Sequence, residues 1–236
     1  MKTPPSSTTL ISQITWMNYW TEPLWNLRFE AQRPIQVDIS KFAEDIVAYG
    51  YENIHSDSIT ELIRALQAHM DKRSSAIFAR LNTRSPKDFT ESPLRTGQEI
   101  VDAISQSMRT TDDIMRLHKH KQPIILYLTP WDNAIRKREY RCFVKDGAVI
   151  GITQYNAYLE NDIQAITNAI MHVTNQVIKA VPLTQFVIDV WIDDLDIPHF
   201  LEINPYGLSD PCLFGTYDIL EMTPAVAYYD RKFSPF

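Results

Sequence analysis

Apolar residues recur at helical spacing in three stretches of the chain. In "SDSITELIRALQAHMDK", Ile59, Leu62, Ile63, Leu66 and Met70 share one face, and Ser58 with Glu61 reads as a capping box at the start. "RTGQEIVDAISQSM" repeats the device with Thr96 and Glu99. A longer helix is predicted through "LENDIQAITNAIMHVTNQVIKAV", where Ile163, Ile166, Ile170, Val173 and Val177 form one stripe. Stripes of this kind are core rather than cofactor contacts.

Between the helices the pattern shortens to strands. "SSAIFARLN" and "QPIILYLTPW", the latter ended by Pro130, read as central strands. "REYRCFVKDGAVIGITQYN" reads as a hairpin turning at Asp146-Gly147, a pair suited to a type I′ turn. "TQFVIDVWI" and "HFLEINPYG" follow, joined by the acidic loop "DDLDIP". Helices and hairpins alternate without the regular beat of a doubly wound sheet, so the predicted class is α+β with largely antiparallel sheets.

The 236 residues suffice for one large or two-lobed domain, and no internal repeat or long linker interrupts them. Residues 1–9, polar and rich in proline and serine, are expected to be flexible. Residues 10–236 are expected to form one body, with an N-terminal and central lobe over about 10–126 and a C-terminal lobe over about 127–236. A net charge of -6 argues against general binding to nucleic acid or to a membrane surface. Cys142 and Cys212 lie far apart, without CxxC or Cys/His spacing, so neither a disulfide framework nor a zinc knuckle is expected. No apolar run approaches the ~20 residues that a bilayer needs, and a reducing cytoplasm fits the composition.

Within "HFLEINPYG", Glu202 and Asn204 interrupt the apolar Phe200, Leu201 and Ile203. Side chains alternate along a strand, so Asp189 leaves the face opposite Ile188 and Val190, in company with Val187 and Trp191. If the "DDLDIP" loop has even length, centred on Leu195-Asp196, Asp189 lies opposite Glu202, and Asn204 follows on the same face. Two carboxylates and an amide oxygen suit a hard cation such as Mg²⁺, which commonly shares its shell with phosphates. Pro205 pushes Asn204 toward an extended backbone that keeps its side chain on that face. Two other readings stay open here: a solvated acidic hairpin face, and a glycosidase pair of carboxylates. His118 and His120 in "HKHK", beside lysines at a helix end, read as solvated rather than as ligands.

A cation site of this kind commonly serves a nucleotide, and basic residues on other strands could meet its phosphates. Lys137, Glu139, Arg141 and Phe143 share a strand face, and Arg141, with its forked donors, is the candidate clamp. Arg80, a cation inside "IFARLN", is a second candidate, or else an edge residue whose head snorkels to water. The chain has no GxxxxGK[ST] or GxGxxG motif and only six glycines, so a nucleotide site would be walled by strands and side chains.

Several of these segments together resemble the cell division cycle protein 123 family, a branch of the ATP-grasp superfamily. The resemblance lies in "FARLNTRSPKDF", in "LYLTPW" with "REYRCFVKDGAVIGITQYN", in "FVIDVWIDDLDIPHFLEINPYGLSDPCLF", and in "ITWMNYW" around Trp16. It implies an ATP-grasp-like body with a nucleotide cleft between two lobes, and ATP and Mg²⁺ as cofactors. Arg80 would face the phosphates, Leu128, Thr129, Pro130 and Trp131 the adenine, and Glu139 and Arg141 the ribose and phosphates. Asp189, Glu202 and Asn204 would bind Mg²⁺. The chain departs from the family in having Arg80 for lysine, Thr129-Pro130 for two basic residues, and Tyr155-Asn156 for an Arg-Asp pair after Gln154. The family implies an ATP-dependent assembly factor for translation initiation factor two, binding its gamma subunit. The superfamily alternative is an ADP-forming ligase that makes an amide through an acyl phosphate, with a peptide or protein substrate. The compact length, ending at Phe236 without an acidic tail, keeps that ligase open. An assembly factor needs a partner surface, which Trp16, Tyr19, Trp20 and Trp25 could supply if they do not pack on the N-terminal lobe. A ligase needs a basic acceptor pocket, which Arg84, Lys87 and Arg138 could supply.

Overall fold

The computed structural model describes Met17 and residues 20–28, 34–73, 75–133, 135, 138–155 and 163–222. Residues 1–9, Trp16, Tyr19, Lys137, Asn156 and the side chain of Ile163 lie outside the described part. In chain order the main elements are α1 (Glu22–Leu27), β1 (Ile35–Asp38), α2 (Ala43–Glu52), α3 (Asp57–Met70), β2 (Ile77–Leu81), α4 (Gly97–Gln106) and α5 (Met108–Lys119). There follow β3 (Ile125–Pro130), β4 (Glu139–Lys145), β5 (Ala148–Gln154), α6 (Ile163–Ala180), β6 (Phe186–Ile192), β7 (Pro198–Asn204) and α7 (Tyr217–Met222). The chain divides into two compact units, one of residues 32–131 and one of residues 132–236 with residues 1–31. Strand β3 and the segment Leu128 to Trp131 therefore belong to the first.

In the unit 32–131 the sheet order is β1-β3-β2, so β3 is central and β2, expected to be central, is an edge. Its apolar side chains do not tell edge from centre, because they are buried even at the edge: Ile77, Ala79 and Leu81 are all inaccessible or nearly so. Helix α3 starts earlier than expected. Ser56, not Ser58, is the N-cap, its Oγ accepting from the Ile59 N–H at 3.1 Å and donating to Asp45 at 2.7 Å. Ser58 thus sits within the first turn, and Glu61 pairs with Lys41 instead. The Thr96–Glu99 capping box of α4 forms as expected.

The unit 132–236 has a four-stranded sheet of order β5-β4-β6-β7, antiparallel throughout. Strands β4 and β5 meet at Asp146-Gly147, whose φ angles of 53° and 74° are the left-handed pair of a type I′ turn. One sheet face carries Tyr140, Cys142, Val144, Ile152, Ile188, Val190, Phe200 and Ile203, all buried. It lies against α6, through Ile166, Ile170, Val173 and Val177, and Thr174 of that helix reaches the Cys142 thiol at 3.6 Å. Trp20 packs on Phe200, with ring centroids 5.2 Å apart, and on Trp25, 5.0 Å apart. That aromatic anchor belongs to the unit of residues 132–236 with residues 1–31, not to the N-terminal lobe.

Two bulges decide what the other sheet face carries. From the turn, Lys145 pairs with Ala148 and Val144 with Val149, but Phe143 pairs with Gly151, leaving Ile150 over. Without that extra residue Arg141 would face Ile152; with it, Arg141 faces Thr153. In the second hairpin, Ile192 pairs with Pro198, Trp191 with His199 and Val190 with Phe200, around a loop of odd length. The expected even loop is therefore not formed. Leu201 is then left over, and Asp189 pairs with Glu202 after all.

Candidate functional site

The face away from α6 carries Glu139, Arg141 and Phe143 on β4, Gly151 and Thr153 on β5, Val187, Asp189 and Trp191 on β6, and His199, Glu202 and Asn204 on β7. It has an apolar end and a polar end. At the apolar end Phe143 and Val187 pack with Phe214 and Leu220. A Cβ on Gly151 would lie 2.3 Å from Leu220 Cδ1 and 2.9 Å from Phe214 Cζ, so the absence of a side chain at residue 151 lets Leu220 and Phe214 pack directly on the strand.

At the polar end Arg141 and Asp189 are directly opposite across β4 and β6 and form a bidentate pair. Nε donates to Oδ1 at 2.7 Å and Nη2 to Oδ2 at 2.8 Å, with the side chains 5% and 0% exposed. Arg141 also donates to the Asp210 carbonyl at 3.0 Å, and its guanidinium lies 4.7 Å from the centre of the Tyr155 ring. Burial by itself lowers the Arg141 pKa. The charge and hydrogen bonds of Asp189 outweigh it, so the guanidinium holds its proton more firmly than in water. The Asn204 amide nitrogen donates to Asp189 Oδ2 at 2.8 Å and, more weakly, to Glu202 Oε1 at 3.4 Å.

Asp189, Glu202 and Asn204, read from the sequence as one set, are thus adjacent. Their oxygens are the donors a hard cation takes. Among the described residues no group of three or more His, Cys, Asp or Glu side chains could hold a metal, so the third protein ligand here would have to be the Asn204 amide oxygen. The amide now presents its nitrogen to the two carboxylates, where a cation would have it turn and present its oxygen. Cys142 and Cys212 offer no thiolate, since burial pushes each thiol up to about 12.

Glu139, opposite Trp191, stands on the same face, and its carbonyl accepts from the Tyr155 N–H at 2.9 Å. Arg80 and Leu128 to Trp131 lie in the unit 32–131. Arg80 is 6% exposed and donates to the carbonyls of Leu81 at 3.3 Å and Thr83 at 3.1 Å, so its head is buried rather than snorkelling. Leu128 and Thr129 are buried, Pro130 is exposed, and the Trp131 N–H bonds to the Ala76 carbonyl at 2.9 Å. Arg84 forms a bidentate pair with Asp113, at 2.8 and 3.0 Å, and Arg138 bonds to the Asp193 carbonyl and the Asp196 carboxylate. His118 pairs with Glu44 at 3.1 Å.

The sequence reading missed the ring of Tyr155 beneath Arg141 and the Asp210 carbonyl. Counting from the Asp146-Gly147 turn puts Tyr155 on the wrong face, because the count does not see the Ile150 bulge. It also missed the stack of Trp191 on His199, 5.0 Å apart, and the bond of His199 to Asp193 at 2.9 Å.

Comparison with known proteins places this arrangement in a family. The family model D123 matches residues 93–233. Relatives named translation initiation factor eIF2 assembly protein include one from Candida albicans, 26% identical over 196 residues, covering 71% of this chain and 56% of the relative. Another, from Xenopus tropicalis, is 26% identical over 217 residues, covering 78% and 62%. The chain spans about half to three fifths of the length of these curated relatives. The solved structure of Cdc123 from Schizosaccharomyces pombe superposes with a TM-score of 0.74 at 19% identity, covering 97% of this chain and 100% of that one. The structure of the D-cycloserine synthetase DcsG reaches a TM-score of 0.50 at 11% identity, covering 92% and 71%. With three fifths of its length matched by the family model, the chain belongs to the D123 family, that of cell division cycle protein 123, and it shares the α+β fold of the Cdc123 structure.

Proposed function

We propose that this protein binds ATP with Mg²⁺ and works in the cytoplasm as an assembly factor for a translation initiation factor, the last being the role that its relatives' name states. The observation that carries the nucleotide part is the convergence of Asp189, Glu202 and Asn204 on one sheet face. Asp189, Glu202 and Asn204 would hold the ion, whose charge would offset that of the phosphates. Arg141 fixes the orientation of Asp189 through two hydrogen bonds. Arg80, Glu139 and Leu128 to Trp131 are proposed for the nucleotide on the strength of the family resemblance. A protein ligase is the weaker reading: Arg84 and Arg138 are already engaged by Asp113 and Asp196, which takes donors away from an acceptor carboxylate.

The test combines binding and turnover. ATP with Mg²⁺ should raise the melting temperature, since a ligand at a hundredfold excess over its Kd adds about 2.7 kcal/mol, and ATP with EDTA should add far less. Equal shifts with and without Mg²⁺ would remove the metal from the proposal. Titration with the eIF2 gamma subunit should give binding that ATP strengthens, without steady ADP release. Steady ADP release with an amine acceptor would replace assembly by ligation.

A further inference from the structure

We propose that the shallow groove between α2 and α5 is a docking site for an amphipathic helix of a partner protein, one that carries lysine or arginine beside its apolar stripe. This stands apart from the ATP reading and concerns the unit 32–131 alone. From Ile46 to Tyr51 helix α2 reads Ile-Val-Ala-Tyr-Gly-Tyr, more than one and a half turns without a charged residue. A helix that is apolar all round is one that is covered all round. One side is covered: Ile46 and Tyr49 are buried, and Gly50 lies so close to α4 that a Cβ there would stand 2.0 Å from the Ser105 carbonyl oxygen. The other side is not. Tyr51 is 61% exposed, Val47 and Ala48 are half-buried, and Met115 of α5, which lines the same groove, is 42% exposed.

The lining and its charges say what fits. Ala43, Val47, Ala48, Tyr51 and Met115 make the groove apolar, and the two small alanines let another helix come close. Its cavity of about 260 Å³ is below the roughly 300 Å³ at which small-molecule pockets begin, whereas a docked helix inserts only its apolar stripe. Glu44 and Glu52 stand on the α2 side, about 12 Å apart along the helix. Glu44 is engaged by His118 at 3.1 Å. Glu52 is exposed and makes no hydrogen bond or ion pair among the described residues. It follows the exposed Tyr51, so a cation placed there meets a carboxylate and an aromatic ring together. A second copy of this chain fits worse, since two facing grooves would set hollow against hollow and acid against acid.

The probe is a helical peptide of about 15 residues made of leucine and lysine, with leucines at helical spacing on one face, set beside a twin that carries glutamate for lysine. Both are titrated into the whole chain without nucleotide. The lysine peptide should bind and the glutamate twin should not. Ala48→Trp fills the groove at unchanged charge and should weaken binding of the lysine peptide at least about tenfold. Glu52→Gln should weaken it about two- to fivefold, the scale of one exposed ion pair, while Asp71→Asn, the same change of charge at the end of α3, should leave it unchanged. Undiminished binding to Ala48→Trp overturns the proposal, because the net charge of -6 would then be holding the peptide anywhere on the surface. Equal losses in Glu52→Gln and Asp71→Asn overturn it for the same reason. So does equal affinity for the two peptides, or no binding of either. If Ala48→Trp does not fold, Val47→Gln, which puts an amide into the apolar lining, is read in its place by the same criteria. A dimer of the native protein in sedimentation that either substitution dissociates would assign the groove to a second copy and likewise overturn the proposal.

Discussion

Among the described residues each unit holds a bidentate arginine–aspartate pair, and the two differ in what surrounds them. Asp113 in the unit 32–131 is buried, but its partners Arg84 and Arg116 are 43% and 49% exposed, so two cations serve one carboxylate from the solvent side. In the other unit Asp189 and Arg141 are both buried, one cation serves one carboxylate, and Glu202 stands opposite as a second acid. The first is a closed structural tie between α5 and the segment after β2. The second sets two carboxylates opposite each other on one sheet face, and carboxylate oxygens are the donors a hard cation takes.

The largest expected difference between the pairs comes from removing the arginines. Arg141→Met should cost about 3–5 kcal/mol in urea unfolding, because it strands a fully buried carboxylate. Arg84→Met should cost about 1 kcal/mol, since Arg116 still donates to Asp113 at 2.8 Å and the lost pair was half in water. Equal losses would break the comparison.

A smaller effect should follow pH at Asp113. Burial by itself raises that carboxyl pKa, but the bonds from Arg84 and Arg116 outweigh it and hold it below its usual value. The unfolded chain therefore takes up the proton first as pH falls. The stabilisation from Asp113 is complete above about pH 5 and is lost as pH falls through about 4 toward the folded-state pKa. Asp113→Asn should flatten this part of the acid limb when unfolding free energy is followed from pH 6 to pH 3.

The smallest expected effect on the empty protein is that of Glu202→Gln. One of two opposed like charges disappears, so stability should stay within about 0.5 kcal/mol or rise slightly, while ATP binding in Mg²⁺ weakens markedly. A clearly destabilised variant that binds ATP with Mg²⁺ normally would make Glu202 a structural carboxylate and erase the contrast between the two pairs.

Local chemistry was legible in the sequence wherever it was self-contained. The Asp146-Gly147 turn, the Thr96–Glu99 cap and the stripe Ile166, Ile170, Val173 and Val177 each depend on residues within a few positions of one another, and each formed. The start of α3 was misplaced by two residues, because Ser56 is selected by its bond to Asp45 on another helix. The edge position of β2 was hidden as well, since a strand whose apolar side chains are buried reads the same at the edge as at the centre.

The candidate site shows the same division more sharply. That Asp189, Glu202 and Asn204 were the residues to watch followed from carboxylates and an amide set among apolar neighbours, where burial without partners would be costly. The sequence alone thus determined the class of fold, the polar residues that need an explanation, and the resemblance that names their family. Opposition of Asp189 and Glu202 was reached from an even loop, whereas the protein has an odd loop and a bulge at Leu201. Only the tertiary structure decided register and aim, because a strand's register is set by which side chains both of its faces must bury against other elements: Phe200 under Trp20, Ile203 opposite Ile188, and Phe143 under Phe214.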